Sequence, residues 1–405
     1  MVKLSKSKLA FLSVIVLVYL ATGLTLKYIA EKGVIEKTKL PGELLPKEDN
    51  SSQVIANLFA AQAFFSQEFT RPDGHVKLYY AKNSTFKPDN GTNSEAMSYY
   101  LLWTAQAKDK KSFDNALNFV QARMLHPQGK YMQWRVEANG SVVKDGENIA
   151  SDADLRAIKA LVIAEKEWGD AHYTELIDKL AGSIEIVAIT KDGFLAPYAG
   201  MSGDKPWTAK EVWLSYSDFT VFSELSKRRG EPWTGVYEKM VNKTLDAQIA
   251  NGLYNSELTE ARKYGNGIDG GGYGINSMWI MVRNAESGVP ELQVSANKSL
   301  QFYKNQFEIN NELFALYSSN GDALEASDAP WVYALVGRAA LALGDVEFGQ
   351  KMVERLIAMQ VNDTASPLYG AFPEGSEKDL RVGQFTMQES ILTLQEYAKA
   401  KKLDV

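Results

Sequence analysis

The sequence predicts an all-α fold, a closed (α/α)6 barrel of six helical hairpins preceded by one transmembrane helix. Three observations predict it. From about residue 51 onward, apolar residues recur at spacings of three and four through about twelve stretches. Short joints, such as 108–112 and 343–345, alternate with long ones rich in Gly, Asn and aromatic residues. No fixed period repeats along the chain, which separates a closed ring from an open α-solenoid.

The first 28 residues read as a cytoplasmic basic head and signal anchor. Lys3, Lys6 and Lys8 precede residues 9–26, which carry no charge before Lys27. Such a helix reaches about 27 Å, close to a hydrocarbon core of roughly 30 Å. Lysines ahead of the span keep the N-terminus in the cytoplasm, so the rest is expected outside the cell membrane. No small-residue cleavage site follows, which favours an uncleaved anchor over a signal peptide. Residues 29–50, charged and with two prolines, read as a stalk.

Helices are expected near 52–68, 94–107, 111–124, 152–168, 171–187, 209–228, 232–249, 273–287, 290–307, 328–342, 345–359 and 383–401. The long connections are 69–93, 125–150, 188–208, 250–272, 308–327 and 360–382, with short strands expected in 75–80 and 131–138. Long loops gathered at one end of a barrel are where function is expected.

Composition narrows the chemistry. The 405-residue chain has no cysteine, which excludes thiol nucleophiles, thiolate metal sites and disulfides. Its net charge is −6 and it has no basic stripe, so nucleic acid is not an expected partner. His75, His126 and His172 have no metal-ligand spacing, so no metal is expected, and no G-x-S-x-G elbow occurs, which argues against a Ser-His-Asp enzyme; no cofactor is expected. Eight Trp and nineteen Tyr suit apolar surfaces with polar rims, sugar-stacking clefts among them.

Acidic residues recur where long loops enter helices. Glu95 opens "SEAMSYYLLW", Asp152 and Asp154 open the fourth helix, Asp218 lies in the sixth, Asp269 precedes the eighth, and Glu325 and Asp328 lie at the start of the tenth. Each alone reads as a helix cap or a dipole partner. Together with clustered aromatics they read as a carboxylate-lined cleft. Glycoside hydrolysis needs that pairing: one carboxyl protonates the leaving oxygen and another activates water or attacks.

Three segments resemble glycoside hydrolase family 8, whose members include endoglucanases, xylanases, chitosanases and the cellulase of bacterial cellulose-synthesis clusters. They are "SEAMSYYLLWTAQAKDKKSFD" (94–114), "YMQWRV" (131–136) and "ASDADLRAIKALVIAEKEWG" (150–169). The resemblance runs from roughly 51 to 400 and is strongest over 90–170. It implies that Glu95 is the general acid, that Asp152 holds and distorts the sugar, and that Trp134 is a platform for a sugar ring. Tyr216 resembles the Tyr of the family's Pro-Ser-Tyr element, with Leu214 in place of the Pro. The base is left open. Where the family has Tyr-Asp-Ala-x-Arg, this chain reads "YGINSMW", so Asp269 is the first candidate and Asp328 the second, with Tyr273 at the substrate.

The expectation is a membrane-anchored, extracytoplasmic hydrolase that cuts internal β-linkages of a polysaccharide with inversion, the two carboxyls about 6.5–9.5 Å apart. The expected substrate is an exopolysaccharide, with its synthesis machinery as a possible partner. The alternative is an inactive sugar-binding accessory protein on the same fold.

Overall fold

In the computed structural model, residues 51–81, 91–325, 329–375 and 381–403 are described. The expected anchor and stalk lie outside the described residues, as does Asp328. No helix among the described residues is long and apolar enough to cross a membrane.

Twelve α-helices are present among the described residues. They are Ser51–Glu68 (α1), Ser94–Gln106 (α2), Lys110–Phe119 (α3), Ser151–Trp168 (α4), Ala171–Val187 (α5) and Phe219–Arg229 (α6). The second half comprises Trp233–Asp246 (α7), Ile275–Glu286 (α8), Pro290–Asn310 (α9), Pro330–Ala342 (α10), Val346–Ala358 (α11) and Gln384–Ala400 (α12). Helices α2, α4, α6, α8, α10 and α12 form an inner ring in which each touches the next, and α12 closes back onto α2. The other six pack outside, with α1 against α12. This is the barrel of six hairpins expected from the alternating joints.

The tight turns have a clear chemical cause. Asp109, Asp170 and Asp345 cap the outer helices α3, α5 and α11, each carboxylate accepting a backbone N–H at 2.9–3.1 Å. Gly169 ends α4 in the left-handed region, and Pro290 and Pro330 open α9 and α10, where a missing N–H costs nothing.

One boundary is corrected. The helix expected over 209–228 starts at Phe219. Before it come a two-residue strand, Val212–Trp213, and a 3-10 turn, Leu214–Tyr216. Asp218 caps α6, accepting from Val221 N at 3.3 Å, so helical geometry begins after it. The apolar residues of 212–214 pack as strand and turn rather than as one helical stripe.

The long loops carry short antiparallel strands. Tyr79–Ala81 (β1) pairs with Arg381–Gly383, tying the first connection to the last. Thr92–Asn93 (β2) pairs with Arg135–Val136 (β3). Ile149–Ala150, Tyr198–Ser202 and Lys205–Thr208 form a second sheet, and Val212–Trp213, Glu257–Leu258 and Tyr264–Gly265 a third. A structural repeat absent from the sequence period appears here. The loops after α1, α5 and α7 each close a small turn through the bridges Thr70–Val76, Ile189–Leu195 and Gln248–Tyr254. At Gly74, with φ +94°, an added Cβ would lie 2.2 Å from Asn115 O on α3, so only glycine allows the turn to seat.

The centre of the ring is polar. The Arg156 guanidinium of α4 lies 3.9 Å over the Tyr99 ring of α2, and the Tyr99 hydroxyl bonds Glu389 of α12. Arg338 of α10 donates to Glu389 at 2.6 Å and to Glu286 of α8 at 2.5 Å. Arg283 of α8 meets Asp218 at 2.6 Å, and Lys159 of α4 lies 3.5 Å from Asp218 and 3.1 Å from Glu286. The contacts form a circuit through all six inner helices. Trp279 lies among three guanidinium groups, 4.8 to 6.0 Å from its ring.

Candidate active site

Glu95 lies in the first turn of α2, held from both sides. Asn93 caps the helix, accepting from Ala96 N at 2.8 Å, and its amide donates to Glu95 Oε2 at 3.2 Å. The strand pair β2–β3 places Trp134 beside this turn, where Trp134 O accepts from Ser94 N at 2.9 Å. The Trp134 side chain also hydrogen-bonds the Glu95 carboxyl. Capping and a placed carboxylate therefore coexist: Asn93 caps, which frees Glu95 for other work.

Asp152, in the first turn of α4, is 6% exposed and accepts from Arg156 Nη2 at 2.9 Å. Its Oδ1 has no hydrogen-bond partner in the protein. Burial raises the Glu95 carboxyl, the Asp152 charge raises it further, and Arg156 and Trp134 pull it down, leaving a pKa of about 7. The polar circuit accounts for this in part. Arg156, Lys159, Arg283 and Arg338 pair with Asp152, Asp218, Glu286 and Glu389, four cations to four anions. Glu95 is an added carboxyl with no cation in direct contact.

Asp154 points elsewhere. It is fully buried, and its Oδ1 accepts from Met132 N at 3.1 Å, anchoring the segment that carries Trp134. Burial holds its pKa well above the usual carboxylate range, which favours the neutral acid. Asp154→Ala leaves that amide unsatisfied and is expected to cost about 1–3 kcal/mol in denaturant unfolding. Asp154→Asn keeps the acceptor and is expected to be near neutral.

A second group lies at the entry to α8. Asp269, in a 3-10 turn, accepts at Oδ1 from the Asn276 side chain at 2.8 Å and from Asn276 N at 3.2 Å. Asn276 in turn accepts from Ser215 Oγ at 2.8 Å, so the "LSY" turn and the Asp269 turn are joined. Burial raises the Asp269 pKa against the pull of Asn276, the Gly274 amide and Ser256, and the buried Oδ2 has no partner in good hydrogen-bond geometry. Tyr216 is partly exposed, edge-to-face with Trp213 at 5.1 Å.

The structure thus brings Glu95, Asp152 and Trp134 together, and separately joins Asp269 to the turn carrying Tyr216. Tyr273 is buried: its backbone pairs with Tyr317 and its hydroxyl reaches Asn255 at 3.4 Å, leaving little open ring face. Arg156 was not singled out by the sequence; an arginine inside a long helix reads there as a solvated charge. No group of His, Asp and Glu among the described residues is arranged to hold a metal ion.

The residue pattern of the glycosyl hydrolases family 8 matches residues 51–259, half of the chain, spanning Glu95, Trp134, Asp152 and Tyr216. The chain belongs to that family. It is 25% identical over 245 residues to Endoglucanase A of Acetivibrio thermocellus, covering 59% of this chain and 47% of that protein. The chain spans about half the length, or less, of the curated relatives it matches. Among solved structures, a novel alpha-amylase from Clostridium perfringens superposes with a TM-score of 0.73 at 25% identity, over 84% of this chain and 98% of that one. A beta-1,3-1,4-glucanase from Paenibacillus sp. X4 superposes at 0.65 and 16% identity, over 87% of this chain and 94% of that one, a likeness of fold alone. The fold of this family 8 chain is thereby shared with an alpha-amylase and a beta-1,3-1,4-glucanase.

Proposed function

We propose that this family 8 protein hydrolyses internal linkages of a polysaccharide with inversion, Glu95 protonating the leaving oxygen and Asp269 activating water. The observation that carries the reading is the Glu95 carboxyl, raised by burial to a pKa of about 7, beside an Asp152 whose Oδ2 is paired with Arg156. Such a carboxyl keeps its proton near neutrality and is close enough to ambient pH to give it up. Asp269 is the base because Asn276 fixes one oxygen while the other has no partner in good hydrogen-bond geometry, an acceptor suited to water. Asp152 takes a sugar hydroxyl through Oδ1, and Trp134 and Tyr216 offer ring faces. Residues 9–26 anchor the chain in the cell membrane, holding the domain where a β-linked exopolysaccharide emerges from its synthesis machinery. The likeness to the alpha-amylase favours a second reading of the linkage, an α-glucan.

The test is reducing-end release by the full-length protein from β-glucans, xylan, chitosan, amino-sugar exopolysaccharides and α-glucans. Wild type is compared with Glu95→Gln, Asp269→Asn and Asp328→Asn. Cleavage of one polymer class is expected, with Asp269→Asn lowering kcat about 10²–10⁴-fold. Full activity of Asp269→Asn with loss in Asp328→Asn moves the base to Asp328. Binding without cleavage in every case leaves the accessory role.

A further inference from the structure

The Arg156 guanidinium is fixed in three directions. Nη2 donates to Asp152 Oδ2 at 2.9 Å, Nη1 donates to Ser98 Oγ at 3.0 Å, and its face lies 3.9 Å over the Tyr99 ring. It is 3% exposed. Four residues before it, Asp152 is one helical turn away and has no freedom to rotate while that contact holds. The oxygen left over, Oδ1, is the unpartnered one.

We propose that Arg156 is a positioning residue of the site: it fixes Asp152 with Oδ1 turned to the bound sugar, and it assigns the charge to Asp152 and the proton to Glu95. The inference rests on the hydrolase reading above. Two neighbouring carboxyls can share one proton, and their environment decides which keeps it. Arg156 contacts one of them directly. The other groups facing Glu95 are Asn93 and Trp134, both neutral, and Tyr79 of β1, itself near Arg135, Arg381 and Glu374. None of these duplicates the contact that Arg156 makes with Asp152. A lysine supplies the charge without the planar fork, so geometry and charge are separable.

The experiment follows kcat and KM against pH in the full-length protein for wild type, Arg156→Met, Arg156→Lys and Ser98→Ala. The Glu95 carboxyl is titrated in parallel by carbon NMR of glutamate-labelled protein, assigned with Glu95→Gln. In Arg156→Met the loss of the last proton from the pair becomes harder. The alkaline limb and the Glu95 titration are expected to move up by about one pH unit, with KM raised about tenfold. Arg156→Lys is expected to restore the limb to within a few tenths of a unit while KM stays high. Ser98→Ala, which removes only one anchor, is expected to raise KM a few-fold with the limb unmoved.

A folded Arg156→Met with a wild-type limb and an unmoved Glu95 titration overturns the proposal. If Arg156→Met does not fold, wild-type KM values in both Arg156→Lys and Ser98→Ala overturn it. If no polysaccharide is cleaved, the hydrolase reading fails separately. The NMR titration then decides the assignment of the proton by itself.

Discussion

Glu95→Gln is expected to lower kcat about 10²–10⁴-fold and, at pH 8, to make the protein more stable. The first effect is loss of the proton donor. The second follows from linkage. The folded-state pKa of Glu95 stands at about 7 against an ordinary value of 4.5, so between those values the folded protein holds a proton that the unfolded chain does not. Stability therefore falls as pH rises from about 4.5 to about 7, and the cost is complete above that window, at about 3 kcal/mol. Glutamine has no such cost. Thermal unfolding at pH 8 should show the variant a few degrees above wild type, and the gap should close by pH 4.5. Equal melting of the two proteins at pH 8 would remove the basis for a raised pKa.

Arg338→Met is expected to be the costliest single substitution for stability, about 3–5 kcal/mol in denaturant unfolding. Arg338 is the shared cation of Glu286 and Glu389, and Glu389 is fully buried. Truncating it leaves two carboxylates facing each other without that cation. The pH dependence has a definite sign. Burial alone would raise the Glu286 carboxyl, but Arg338, Lys159 and Arg283 hold it at about 2. In wild type its stabilisation is present above about 4.5 and is lost as pH falls toward 2. Without Arg338 the Glu286 pKa rises, so the deficit should be largest at neutral pH and shrink on acidification. Adding Glu389→Gln should return part of the loss, since it removes one of the orphaned charges. A loss under 1 kcal/mol, independent of pH, would mean that water reaches the ring.

The helices were legible because their signals are local. Apolar spacing, the Asp caps at 109, 170 and 345, and Pro290 lie within a turn or two of what they specify. Of the strands, only those expected in 75–80 and 131–138 were legible, appearing as Tyr79–Ala81 and Arg135–Val136. Two-residue segments such as Val212–Trp213 have no periodicity and find their partner at Glu257–Leu258. The same segment hid the true start of α6. In the site, Glu95 and Asp152 were visible as acids at loop-to-helix junctions and through the family resemblance. Spacing alone could not divide labour between Asp152 and Asp154, two residues apart. That division depends on which way each points, toward Arg156 or toward the Met132 amide. Arg156 itself was silent because two of its three contacts, Ser98 and Tyr99, come from another hairpin.

The circuit of charges across the six inner helices has a consequence for how this architecture can vary. In a stacked solenoid each repeat depends only on its neighbours, and an array survives the loss of one. Here every hairpin supplies a link, among them Tyr99, Arg156, Asp218, Arg283, Arg338 and Glu389. Deleting one would open the ring and strand a charge on each side of the gap. The hairpins are not modules. A change in the rim loops leaves the hub's contacts intact, whereas a change at the hub breaks a link on which the neighbouring hairpins depend.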